Sequence, residues 1–124
     1  MPAVRIEATN QEIFATYYEG HPTIHVPRVH RHLSTGRVLT TDLATGVSLD
    51  EVTAWPQHQR DLAAETIYRF AFGSLYQLQA FNGDPHPGNY LFRPDGQVTF
   101  LDFGLVKHFT TEELGQFEAM IQAM

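Results

Sequence analysis

The chain has 124 residues, with 14 acidic against 8 basic side chains and a formal charge of −6; that length suits one small domain, and the acidic balance without a basic block excludes a nucleic-acid footprint. The absence of cysteine removes disulfides, zinc–thiolate sites and cysteine nucleophiles. No apolar run approaches the roughly 20 residues of a membrane span and no signal-peptide pattern opens the chain, which predicts a soluble, cytoplasmic protein unless a segment outside it carries an anchor.

In chain order, Arg5 to Tyr18 reads as a helix with Ile6, Ile13, Phe14 and Tyr17 on its apolar face, ended by Gly20 and Pro22. Two β-branched runs flanking Thr35-Gly36 read as a hairpin, with Pro27 at the start or edge of its first strand. Ser48 with Glu51 is a capping-box pattern that opens a short helix. From Pro56 a long helix runs to about Phe81. Leu62, Ile67, Phe70, Leu75 and Leu78 lie at helical spacing, and Phe72 and Tyr76 extend the burial to a second side. Trp55 is placed to staple the start of that helix.

Two short strands follow, "YLFR" and "QVTFL", joined by the turn Pro94-Asp95-Gly96. Thr110 with Glu113 forms a second capping box for a terminal amphipathic helix that turns Leu114, Phe117 and Ile121 inward. That helix is short and acidic, unlike a membrane-surface helix. His30 and His32 fall on one face of the first hairpin strand with His25 nearby, but no third metal ligand stands at a suitable spacing.

The chemistry concentrates in "FNGDPHPGNYLF" and the "DFG" beyond it. Prolines and glycines fix the shape of the loop and leave Asp84, His86 and Asn89 projecting from it. An Asp followed by an Asn at this spacing, a tight hairpin, and then Asp102-Phe103-Gly104 is the arrangement protein kinases and their relatives use around a nucleotide. In that arrangement the first Asp positions or deprotonates the acceptor, while the Asn and the second Asp hold Mg²⁺. Phosphoryl transfer asks a protein mainly to position groups and neutralise charge, and hard oxygen donors suit magnesium.

The wording "DPHPGN" followed by "FLDFG" closely resembles the UbiB/AarF/ADCK atypical kinase family. "RIEATN" resembles the same family's helix-C segment, and "VPRVHRHLSTGRVLTTDLATGVSLDE" its path through the last N-lobe strands to the hinge. The resemblance implies an α+β, partial protein kinase-like fold. Residues 1–43 would be an N-lobe remnant, and residues 44–124 a partial, mainly helical C-lobe with the catalytic loop. It further implies Mg²⁺ and ATP as cofactors, Asp84 as the catalytic base or acceptor-positioning group, and Asn89 and Asp102 as the metal ligands. Glu7 would be the glutamate that pairs with the nucleotide-binding lysine, Asp42 the acidic residue before the hinge, and His86 a loop-shaping residue.

Partners implied by the family are the nucleotide and lipid or quinone-pathway components, with a place at the membrane face. The lysine strand, the Ala-rich nucleotide loop and the acidic motif before Glu7 have no counterpart in "MPAVRI". Two further readings therefore stand beside an active kinase or ATPase: a non-catalytic binding module, and a small-molecule phosphotransferase of the aminoglycoside or choline kinase kind. An incomplete lobe also predicts marginal stability or self-association, since a few hundred Å² of uncovered apolar surface forfeits several kcal/mol at about 25 cal/mol per Å².

Overall fold

The computed structural model describes residues 3–82 and 86–123. Helix α1 (Ala3–Tyr17) is followed by strand β1 (Ile24–His25) and the one-turn helix α2 (Leu49–Val52). The long helix α3 (Gln57–Gly73) passes into a single wide helical turn over Ser74–Leu78 and strand β2 (Ala80–Asn82). Strands β3 (Tyr90–Phe92), β4 (Val98–Phe100) and β5 (Val106–His108) and helix α4 (Thr111–Ala123) complete the order. The architecture is mixed α and β, with helices packed on two small sheets.

A five-ring cluster holds these elements together. Phe14 of α1, Phe70 of α3, Phe92 of β3, Phe100 of β4 and Phe103 are all buried. Phe70 stacks on Phe100 at 3.8 Å between centroids, and Phe14 touches Phe70 at 5.6 Å and Phe103 at 5.0 Å. Offset and tilted aromatic pairs at such distances add to the area they bury. The Tyr18 hydroxyl shares a 2.6 Å hydrogen bond with Ser74 Oγ, tying the end of α1 to the wide turn of the long helix. Burial holds the Tyr18 phenol above its ordinary pKa.

The helix at Arg5–Tyr18 forms, but its inward face differs from the expected one. Phe14 is buried together with Ala8, Gln11 and Tyr18, while Ile6, Ile13 and Tyr17 stay exposed at 44%, 39% and 42%. The helix carries apolar residues on two sides, and the ring that reaches Phe70 and Phe103 decides which side turns in. The long helix shows the same limit. It buries Ala63, Thr66 and Phe70, whereas Tyr68, Phe72 and Tyr76 form an exposed aromatic row instead of a second buried side. It also ends before Phe81, because Gln79 takes a left-handed φ of 54° and turns the chain into β2.

The predicted hairpin around Thr35-Gly36 is reduced to one antiparallel bridge, Val29 to Thr41, with His30 N–H donating to Thr40 C=O at 2.8 Å. Regular strand is confined to Ile24–His25, which pairs in parallel with β4 (Ile24 opposite Val98, His25 opposite Thr99). A short helical turn at Arg31–Leu33 breaks the first run, so His30 and His32 do not share a strand face. Their rings meet edge to face instead, at 5.9 Å.

The hairpin β3–β4 forms as expected, with Tyr90 opposite Phe100 and Phe92 opposite Val98. The Asp95 carboxylate accepts the Gln97 N–H at 2.9 Å across its turn, and Thr66 Oγ1 donates to the Gly96 carbonyl at 2.7 Å, pinning the turn to α3. Val47 bridges to Phe92 and brings the segment just before α2 against β3. Gly46 makes this approach possible: at φ 147° a Cβ there would stand 3.0 Å from Leu91 Cβ and from the Phe92 carbonyl oxygen.

Candidate functional site

The hairpin sets the site. Leu101 N–H donates to Asn89 C=O at 3.0 Å, one step beyond the Tyr90–Phe100 pair. Asn89, entering β3, and Asp102, leaving β4, therefore stand at the same end of one antiparallel ladder. A short helical turn, Pro87–Asn89, leads into β3. Within it His86 Nδ1 accepts the Gly88 N–H at 2.9 Å, and the His86 carbonyl accepts the Asn89 N–H at 2.9 Å. A Cβ on Gly88 would stand 2.9 Å from His86 Nδ1, so glycine lets the ring close over the backbone. The loop-shaping role expected of His86 matches these bonds. Asp84 lies outside the described residues.

Asp102 is held by its own turn. Its Oδ1 accepts the Gly104 N–H at 2.9 Å, and its carbonyl accepts a 2.5 Å hydrogen bond from Asn82 Nδ2 of β2. Phe103 then points inward and is fully buried against Phe14 of α1. Packing that ring carries α1 over the D-F-G turn and brings Glu7 to Asp102. A point one bond from Gly104 Cα lies 3.3 Å from Asp102 Oδ1 and 3.9 Å from Glu7 Oε2. The Glu7 carboxyl sits above its ordinary pKa, raised first by partial burial and next by the neighbouring Asp102 charge. The Phe103 N–H that Glu7 accepts opposes the shift.

Two acidic groups drawn together form a site that gains from positive charge. Among the described residues no group of three or more His, Asp or Glu is arranged to hold a metal. The donor set nevertheless fits magnesium. That ion keeps several waters and takes one or two carboxylates, its remaining positions going to substrate phosphate. Asp102 contributes a carboxylate and Asn89 an amide at the same end of the β3–β4 ladder.

Asp42 has a different environment. It is exposed and accepts or shares a 2.5 Å hydrogen bond with His30 Nε2, which holds its carboxyl below the usual pKa. It lines a cleft of about 460 Å³ between the second half of α1 and the segment from Gly20 to Val29. Glu7, Asn89 and Asp102 are thus gathered around the D-F-G turn, and Asp42 belongs to the wall of that separate cleft.

Three residues near the turn escaped the sequence reading: Asn82, Asn10 and His108. Asn10 is buried on α1, with Nδ2 donating to the Phe103 carbonyl at 3.3 Å. His108 Nε2 lies 3.0 Å from Asn10 Oδ1. Strand β5 reaches that place by pairing antiparallel with β2, Asn82 opposite Val106 and Ala80 opposite His108. The only hint in the sequence was a polar residue inside the apolar spacing of "RIEATN".

A mixed α/β domain, with the turn Pro87–Asn89 and a D-F-G turn at one end of a tight hairpin and a helix packed over the latter, belongs to the kinase-like class. The family model described as ABC1 atypical kinase-like domain matches residues 4–124, and the chain belongs to that family. It is similar to a chloroplastic aarF domain-containing protein kinase of Arabidopsis thaliana, 34% identical over 106 residues that cover 86% of this chain and 14% of that protein. The mitochondrial atypical kinase COQ8B of Rattus norvegicus is 30% identical over 120 residues, covering 96% of this chain and 23% of the relative. The solved complex of Rv3197 with erythromycin from Mycobacterium tuberculosis superposes with a TM-score of 0.76 at 35% identity, covering 85% of this chain and 27% of that one. The fold is therefore a partial kinase-like domain, and the chain spans less than a quarter of the length of these curated relatives.

Proposed function

We propose that the chain carries the catalytic-loop and metal half of an atypical kinase or ATPase that acts on Mg-ATP, by transfer of the terminal phosphoryl group to an acceptor or to water. The observation that carries this reading is the convergence of Glu7 and Asp102 beside Asn89 around the D-F-G turn. A purely structural turn gains nothing from two adjacent carboxylates.

The assigned roles follow the family resemblance of the motifs. Asp84 orients the acceptor hydroxyl or water and takes its proton as the oxygen–phosphorus bond forms and the bond to the leaving ADP oxygen breaks. Asn89 and Asp102 supply the amide and carboxylate oxygens that hold Mg²⁺. When bound, the ion screens phosphate charge and stabilises the negative charge gathering on the leaving oxygen. Glu7 orients a lysine ammonium, which would also relieve the crowding of the two carboxylates. Asp42, steadied by His30, stands at the approach to the hinge where the nucleotide base would lie.

By kinship with COQ8B and the other aarF-type kinases, the wider role is in quinone or isoprenoid-lipid metabolism, at a membrane face. No helix among the described residues is long and apolar enough to cross a membrane. The exposed row Tyr68, Phe72 and Tyr76 favours a second reading, a non-catalytic module that uses an apolar surface to bind a partner.

Thermal unfolding with Mg-ATP separates the two readings. A ligand at about 10 times its Kd stabilises the native state by about 1.4 kcal/mol, a rise of several degrees in Tm that Asp102→Ala abolishes. An unchanged Tm at every Mg-ATP concentration overturns the catalytic reading and leaves the binding-module one.

A further inference from the structure

We propose that Asn10 is a positioning residue for the D-F-G turn, oriented by His108, and that this pair couples helix α1 to the metal-binding carboxylate of Asp102. The inference rests on the Mg-ATP reading for its functional consequence, but its structural content stands apart from that reading.

A buried primary amide needs both its ends satisfied. Asn10 is 6% exposed. Its Nδ2 donates to the Phe103 carbonyl at 3.3 Å, which leaves Oδ1 as the acceptor for His108 Nε2–H at 3.0 Å. His108 therefore selects which way the amide faces: with Oδ1 toward the imidazole N–H, the N–H₂ group has to face the D-F-G backbone. The arrangement also assigns the imidazole proton to Nε2.

Two successive carbonyls of the turn are then held from opposite sides. Asn82 of β2 takes the Asp102 carbonyl and Asn10 of α1 takes the Phe103 carbonyl. Between them the Asp102 side chain is fixed by Gly104 N–H. Asn82 and His108 sit on paired strands, at opposite ends of the β2–β5 ladder. A displacement of α1 or β5 thus reaches the orientation of the Asp102 carboxylate through one amide. Asn10 neighbours Glu7 on the same helix, so the bond that fixes the turn also fixes the helix carrying the second carboxylate. Apolar packing of Phe103 alone would anchor the ring and leave the peptide planes on either side free to rotate.

The test uses four variants of the chain and two readouts. Asn10→Asp keeps the acceptor for His108 and loses the donor to Phe103; Asn10→Leu loses both. His108→Gln keeps an N–H donor at similar reach, and His108→Phe removes it. The first readout is hydrogen exchange of the Gly104 backbone amide, which reports the Asp102 turn without any ligand. We expect exchange about five- to tenfold faster in Asn10→Asp, Asn10→Leu and His108→Phe, the loss of one hydrogen bond. Exchange stays near the parent rate in His108→Gln and in the control Thr9→Ala on the same helix. The second readout is half-saturation by Mg²⁺ at fixed ATP. It should rise by a similar factor in the same three variants, with ATP binding in the absence of Mg²⁺ unchanged.

Equal Gly104 exchange in the parent and the Asn10 variants overturns the proposal, as does a His108→Gln variant no better than His108→Phe. If the parent chain shows no response to Mg-ATP, the functional reading fails while the exchange data still decide the positioning role. If the parent responds and the Asn10 variants respond equally, the positioning role fails and the functional reading stands. Should the buried Asn10 substitutions lower Tm strongly, the comparison rests on the two variants at exposed His108.

Discussion

Glu7 is a residue whose surroundings oppose its charge. Its pKa in the folded chain is raised above the ordinary 4.5 by burial and by Asp102, so between those two values the folded state binds more protons than the unfolded one. Stability contributed by this group is therefore present at and below about pH 4.5 and is lost as pH rises through the folded value. Glu7→Gln removes the charge and keeps an oxygen for the Phe103 N–H. We expect it to raise Tm at pH 7 by about 2 °C and to have no effect near pH 4, read by thermal melts across that range. As candidates the residues were legible, Asp102 and Asn89 from motif spacing and Glu7 from the family resemblance of "RIEATN". Their mutual approach was not, because Glu7 and Asp102 meet only after the Phe103 ring has docked on Phe14. Asn10 was passed over because its place in "RIEATN" does not say which groups the amide will face in the fold.

Elements differ in how fully local chemistry specified them. At the start of α4 both capping bonds form: Thr110 Oγ1 accepts the Glu113 N–H at 3.1 Å, and Glu113 Oε1 accepts the Thr110 N–H at 3.1 Å. That bond to the backbone, with Lys107 nearby, holds the Glu113 carboxyl below its ordinary pKa. The cap contributes above that range and weakens as pH falls through the folded value. Thr110→Ala should cost about 1 kcal/mol, seen as faster exchange of the amides in the first turn of α4. Ser48 and Glu51 have the same spacing, yet Ser48 makes no side-chain cap bond to the helix it opens. A one-turn helix gives little cooperative return for fixing the cap, and neighbouring contacts hold it, with Val52 in the core. The exposed row on α3 has a related cause, since a helix packed on one sheet can bury one stripe only.

Across the whole molecule, stability depends on a few rings that join distant parts of the chain. Phe100 is 1% exposed and stacked on Phe70, with Tyr90 edge-on at 5.2 Å. Phe100→Ala should cost about 3–5 kcal/mol against a total of about 5–15 kcal/mol for a typical domain. We expect the urea midpoint to fall by at least about a fifth, followed by circular dichroism. The row Tyr68, Phe72 and Tyr76, with Ile6, Ile13 and Tyr17 on α1, leaves apolar side chains exposed outside this ring cluster.

By itself the sequence determined the parts governed by short-range chemistry: the Asp95-containing turn, the Thr110 cap, the turn from His86 to Asn89, the family and the identity of the charged residues. Tertiary structure decided everything that required a partner far along the chain. It chose the face α1 buries, reduced the early hairpin to one bridge while pairing β1 with β4, and closed β5 onto β2. The physical reason is that periodicity records only that a residue is apolar. Whether it turns inward, and whether two carboxylates come to share a site, depends on which ring or strand arrives opposite.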